Sequence, residues 1–226
     1  MKKKIFYSEL AYIIGLIFLA FGTSLIEKAS FGMSMIVSPA YILHLEISQY
    51  FKFFTFGMAE YCFQGLLIII LSLILRKFRF SFLFSFVTAV IYGFLLDGSI
   101  FAVSGIPSGG FPLRIFWFVF GICMTTFGIS LLFNSYISPE AYELFVKKVS
   151  EKYNLPIFKV KYAYDISSLI LSVALSLIFF ASIEGIGYGT VISALVNGKL
   201  ISTWSKTVES RFTFVDGLKL RKYFED

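Results

Sequence analysis

The chain has 226 residues, of which 58% are hydrophobic and only 15% charged, with a mean hydropathy of +0.82 and a net charge of +6. A water-soluble domain carries about 25% charged residues, so this composition excludes a soluble enzyme or binding module. It describes an all-α integral membrane protein, whose backbone polar groups must be satisfied internally because lipid offers them no partner.

The start, Met1-Lys2-Lys3-Lys4, leads into an apolar run from Ala11 to Ile26 without the small-residue cleavage site of a signal peptide. The run reads as a retained first span. A span needs about 20 apolar residues. Six segments qualify, 8–27, 56–75, 80–101, 113–133, 162–182 and 189–205, the last weakened by Gly, Ser and Asn. Seventeen of the twenty Lys and Arg fall on one side of this arrangement, and only Lys28, Lys52 and Arg114 on the other. Basic loops stay in the cytoplasm, so both termini are expected there, with 206–226 a cytoplasmic tail able to touch anionic lipid. The positive charge is explained without nucleic acid. Cys62 and Cys123 fall within spans without disulfide or metal spacing, and His44 has no second ligand nearby in sequence. No metal and no cofactor is expected.

The chain repeats itself. Phe21–Leu25 returns as Phe127–Leu131, Val37-Ser38-Pro39 as Ile137-Ser138-Pro139, and Ile47-Ser48 as Val149-Ser150. Leu71-Ser72-Leu73 returns as Leu175-Ser176-Leu177, and Leu96-Asp97-Gly98 as Val196-Asn197-Gly198. The offsets run from 100 to 106 in constant order. Residues 8–101 and 113–205 thus form two three-span repeats within a single membrane domain of 1–226. Three spans are an odd number, so the second copy enters the bilayer inverted. Secondary transporters are built in this way, with the solute site between the halves. A duplication kept only for packing is the alternative. Each repeat also holds a short extra helix between its first two spans. The first starts at Ser38 as N-cap and Pro39 as first helical residue, and reads as a half-helix entering from the outer face. The second, from Pro139 with Glu140, Glu143, Lys147 and Lys148, is amphipathic and reads as lying at the inner surface.

A carboxylate at mid-bilayer costs about 2.5–3.5 kcal/mol on insertion scales, so intramembrane acids are functional candidates. Asp97 leads, late in the third span, with Asn197 as its repeat counterpart; the two could hold a cation, a proton or a polar solute. The competing reading has Asp97 reach the headgroups and cap its helix. Arg114 is its candidate partner across the loop 98–112. Glu60 and Asp165 are further candidates for ion or proton coupling, although each sits near a membrane boundary, and Tyr162 and Tyr164 fit an interfacial belt there. Gln64 is the neutral polar residue of the second span.

Gly185-x-Gly187-x-Gly189 has the look of a phosphate loop, but a membrane span precedes it where a dinucleotide fingerprint needs a strand. Gly187, Gly189 and Thr190 therefore mark the entrance to the last span. They allow either tight helix packing or a substrate anion at a helix N-terminus.

FKVKYAYDIS (158–167), IEGIGYGTVISALVNG (183–198) and EKASFGMSMIVSPAYIL (27–43) resemble the YczE/YyaS/YitT family of bacterial integral membrane proteins. The resemblance covers most of the chain and implies a bacterial inner-membrane location, with an Asp at positions 97 and 165. Asn197-Gly198-Lys199 departs from the expected apolar-Gly-Pro, and the soluble C-terminal domain of the YitT branch is not expected. No nucleophile with a positioned base, His cluster or Walker motif is present, so neither an enzyme nor an ATP-driven pump is expected. The reading is a secondary transporter or carrier of an unidentified small polar or anionic molecule. The alternative is a non-transporting partner: a substrate-binding subunit of an uptake complex, or an accessory protein of another enzyme. Either leaves a homo-oligomer or a membrane-complex partner open.

Overall fold

The computed structural model describes residues 3–78 and 81–218; residues 219–226 of the expected tail lie outside the described residues. Eight helices follow in order: α1 Ser8–Ala29, α2 Ser38–Tyr50, α3 Phe56–Leu75, α4 Ser81–Ser104, α5 Phe111–Phe133, α6 Ala141–Tyr153, α7 Ile157–Phe180 and α8 Tyr188–Arg211. The apolar runs become helices because a chain in lipid has to close its backbone hydrogen bonds within each segment. Five of them, α1, α3, α4, α5 and α7, are long and apolar enough to cross a membrane. The chain is therefore a multi-pass helical membrane protein. The sixth expected span forms a helix of full length, 24 residues. It carries Lys199, Lys206, Glu209 and Arg211 and is not among the five.

The centre is the α1–α5 pair. Glycines let the two backbones touch. A Cβ on Gly22 would lie 2.6 Å from the Thr125 backbone nitrogen, and one on Gly121 would lie 2.8 Å from the Gly22 oxygen. Further along, a Cβ on Gly15 would lie 2.9 Å from the Gly128 oxygen, and one on Gly128 would lie 2.6 Å from the Gly15 oxygen. Around this pair, α4 packs on α1 and α3, while α8 rests chiefly on α5. The short helices cross over: α2 packs on α3 and α7, and α6 on α7 and α3.

Three expectations change here. First, α6 is not a surface helix. Its first turns are buried through Ala141, Tyr142, Leu144 and Val146, and only its second half, with Lys147 and Lys152, is exposed. The amphipathic pattern describes that second half alone. Second, α2 starts at Ser38 with Pro39 in its first turn, but Ser38 makes no capping hydrogen bond; Val37 holds the cap position in a helical conformation. Third, the segment expected as a tail is ordered where it is described, Lys206–Arg211 continuing α8 and Phe212–Val215 forming a strand. Strand β1, Lys4–Tyr7, pairs in parallel with β2, Phe212–Val215. The Glu9 carboxylate accepts from the backbone N–H of Gly217 and Leu218 and from the Tyr136 hydroxyl. The two ends of the described chain are thereby clipped together.

Candidate functional site

Two short helices aim their N-termini at one cavity. The segment 33–37 leads into α2 and residues 139–140 lead into α6, and both stretches line a cavity of about 80 Å³ walled also by α1, α4, α5 and Asn197 of α8. The first turn of a helix leaves backbone N–H groups without partners and carries partial positive charge. Both short helices present this end to the same space. The volume holds a few waters or a small polar molecule. Its polar walls are Thr23, Ser34, Tyr92, Thr125, Glu140, Tyr142, Glu143 and Asn197.

Several of these side chains are fixed by hydrogen bonds. The Tyr92 hydroxyl donates to Thr23 Oγ1 at 3.1 Å, and Thr23 passes its own proton to the Leu19 carbonyl at 2.9 Å. Thr88 Oγ1 bonds the Ser138 carbonyl at 3.0 Å and the Tyr12 hydroxyl at 2.8 Å, tying α4 and α1 to the start of α6. Behind the wall stands fully buried Gln64. Its Oε1 accepts from the Ala141 N–H at 3.0 Å. A backbone N–H can only donate, which orients the amide and turns Nε2 toward two carboxylates. That nitrogen donates to Glu140 Oε2 at 3.1 Å and to Glu60 Oε2 at 3.5 Å. Tyr142 donates its hydroxyl to the same Glu60 oxygen at 2.8 Å. The second oxygen of each carboxylate, Oε1, is buried and has no donor.

Of the residues expected at a site, Asn197 lines this cavity, its Oδ1 buried without a donor. Gln64 and Glu60 stand directly behind it. Glu60 is fully buried in protein, because α3 packs on α4 and α6 along that face. Ser38 is fully buried next to the wall residue Val37, with its hydroxyl unpartnered.

The remaining candidates go elsewhere. Asp97 closes the N-terminus of α3, accepting from Thr55 Oγ1 at 2.5 Å and from the Gly57 N–H at 2.8 Å. It caps a neighbouring helix, not its own. Arg114 does not pair with it. Its guanidinium donates to the Ala29 and Ser30 carbonyls at the end of α1 and sits over the Phe31 ring at 5.0 Å. Asp165 is half-buried on α7 and ion-paired with Lys161 at 3.5 Å. Gly187, Gly189 and Thr190 form a packing joint. The Gly189 N–H donates to the Phe31 carbonyl at 2.8 Å, and Thr190 Oγ1 accepts from the Gly187 N–H at 3.1 Å. A Cβ on Gly187 would lie 2.5 Å from the Phe31 oxygen. No room for an anion remains there, and the tight-packing alternative describes the joint.

Sequence reasoning passed over Glu140 and Tyr142, which were read as part of a surface helix. The repeat contained the signal. Pro139 matches Pro39, so a buried α2 requires a buried α6, and Glu140 then falls in its first turn.

A cavity of mixed polar and apolar lining, flanked by the starts of two short helices, is the candidate site of this helical membrane protein. The chain belongs to a family of unknown function, DUF6198, whose profile matches residues 6–206. No curated protein and no solved structure matches it.

Proposed function

We propose that the chain is a carrier for a small polar solute, with six crossings in two inverted halves and the solute held in the cavity between them. The observation that carries this reading is that the starts of two short helices, one from each repeat, line a single cavity with polar groups in an otherwise apolar wall. Discontinuous helices meeting between repeats are the recurrent solution for solute sites in such carriers.

The glycine contacts support the inversion. Gly22 corresponds to Gly128 and Gly15 to Gly121 at the same offset. Gly15 meets Gly128 while Gly22 meets Gly121, so each contact is the other's counterpart with the halves exchanged. That is the contact pattern of a two-fold axis between antiparallel helices. The exchanged pairs α2–α7 and α6–α3 follow it too. Two pairs break the symmetry: α4 packs on α3 and touches α6, whereas its counterpart α8 stands off α7 and α2. A carrier needs such inequality between halves, since one side is open while the other is closed. In this reading α8 is the sixth crossing, and the Lys-rich face with both termini is cytoplasmic in a bacterial inner membrane. The YczE/YyaS/YitT resemblance agrees with that placement. The solute is neutral or cationic, not anionic, because Glu140 and Glu143 stand in the cavity wall and none of the residues lining it is basic.

A second reading, a non-transporting subunit of a membrane complex, draws on α8. Its exposed residues include Lys199, Ser202, Thr203 and Lys206, a polar surface that a partner helix would cover. Thermal stability of the detergent-purified chain against a panel of polar solutes separates the two. A ligand at a hundredfold excess over its Kd stabilises by about 2.7 kcal/mol. The carrier reading expects a stabilising solute whose effect is lost in Asn197→Leu and Thr125→Val, and uptake of that solute by proteoliposomes. A stoichiometric membrane partner and no uptake would replace it with the second reading.

A further inference from the structure

Two buried carboxylates share one amide behind the cavity. Gln64 gives one N–H to each of Glu60 and Glu140, and only Tyr142 adds a further donor. The ionisable groups facing the pair are acidic or phenolic: Tyr142 and Glu143 on α6, Tyr12 on α1, Tyr92 on α4, Tyr164 on α7. Lys161 lies 3.9 Å from Glu143 and answers that charge. Among the described residues no Lys, Arg or His pairs with Glu60 or Glu140. Two carboxylates sharing a buried site repel each other when both are ionised, which favours one proton held between them. The donors on them are hydroxyl and amide protons, which suit a single negative charge and do not coordinate a metal cation.

A second observation comes from the cavity itself. Glu140 is 93% buried and lines the cavity, with its Oε1 lacking any donor. Glu140 is thus the member of the pair in the cavity wall, and its Oε1 is an oxygen with no donor, free to take a proton. Glu60 is fully buried and has both the Tyr142 hydroxyl and the Gln64 amide on its Oε2, so the negative charge is better supported there.

We propose that Glu60 and Glu140 hold one exchangeable proton between them, taken up at Glu140 Oε1 from the cavity, and that this is the coupling proton of the carrier. On uptake one O–H bond forms at Glu140 and one breaks in a cavity hydronium ion, leaving water; the pair passes from two negative charges to one and no electrons move. The coupling role rests on the carrier reading above, and the shared proton stands independently of it.

Infrared difference spectra of the purified full chain, recorded along a pH titration, test this directly. The wild type should show a protonated-carboxyl stretch that titrates and that Glu140→Gln loses. Tyr142→Phe removes one donor to the charged form, so the same band should titrate higher by about one pH unit. Glu60→Gln removes the like charge and should move it lower, a second arm if Glu140→Gln does not fold. Absence of a titrating carboxyl, or a band unchanged in all three variants, overturns the inference even if a transported solute is found. A titrating shared proton in a chain that moves no solute supports the site and sinks the carrier reading instead.

Discussion

Replacing Gln64 with leucine removes two of the three hydrogen bonds that join α3 to the start of α6, leaving the one from Tyr142 to Glu60. The side chain is fully buried and makes two bonds of good length, from the Ala141 N–H at 3.0 Å and to Glu140 at 3.1 Å, plus a longer one to Glu60 at 3.5 Å. The Ala141 N–H lies in the first turn of α6, where no intrahelical acceptor exists. Leucine fills a similar volume, so the cost comes from the stranded polar groups and not from a cavity. Each buried group left without a partner costs about 1–3 kcal/mol. Two such groups, with some relief from water in the neighbouring cavity, give a net loss of about 3 kcal/mol. For a chain of this size that is a fall in Tm of about 6–12 °C. Thermal melts in detergent, followed by tryptophan fluorescence, measure it. Gln49→Leu, on the exposed end of α2, is the control and should stay within about 0.5 kcal/mol of wild type. Equal melting shifts for the two variants would refute the network.

Gly22→Ala should lower stability by about 1–3 kcal/mol, because its new methyl meets the α5 backbone, while Gly198→Ala, with nothing within 4 Å of its Cβ, should raise it by about 0.5–1 kcal/mol through helix propensity; melts of the two variants side by side check the sign reversal. Asp97→Asn should cost about 1–2 kcal/mol by weakening the cap of α3, yet leave solute-induced stabilisation intact, which a melt with and without solute reads out. Burial holds His44 below its ordinary value of 6.5, against the opposing pull of the Phe54 carbonyl and the Asp97 charge. The fold therefore favours neutral imidazole: its stability is whole above 6.5 and falls as the pH drops from there toward the depressed value. Wild type should lose more Tm than His44→Phe between about pH 7 and about pH 5.5.

Helices were legible where composition alone determines them. The expected span 56–75 coincides with α3, and 8–27 differs from α1 only in the last two residues, because an uninterrupted apolar run in lipid has no alternative to helix. The short helices were legible as well, since the Ser-Pro pairs at 38–39 and 138–139 each stand at or just before the start of one. The site was harder to read. Asp97 looked like its centre because a lone acid in a span is expensive, but its cost is met by Thr55 and Gly57, 42 and 40 residues away in sequence. Glu140 looked like a surface residue because the helix after it is amphipathic. Its burial is decided by the helices packed on α6, namely α3, α7 and α4, which periodicity within α6 does not register. The strands β1 and β2, four residues each, carry no periodic signal long enough to stand out.

Whether the cavity opens to each side of the membrane in turn decides the account. With Cys62 and Cys123 replaced by alanine, Asn197→Cys places a single thiol on the cavity wall, to be labelled by an impermeant maleimide from either face of sealed vesicles. The carrier account predicts labelling from both faces, with the balance between them shifting as the pH is changed across the titration of the Glu60–Glu140 pair. A thiol reached from neither face, or from one face alone at every pH, would contradict it.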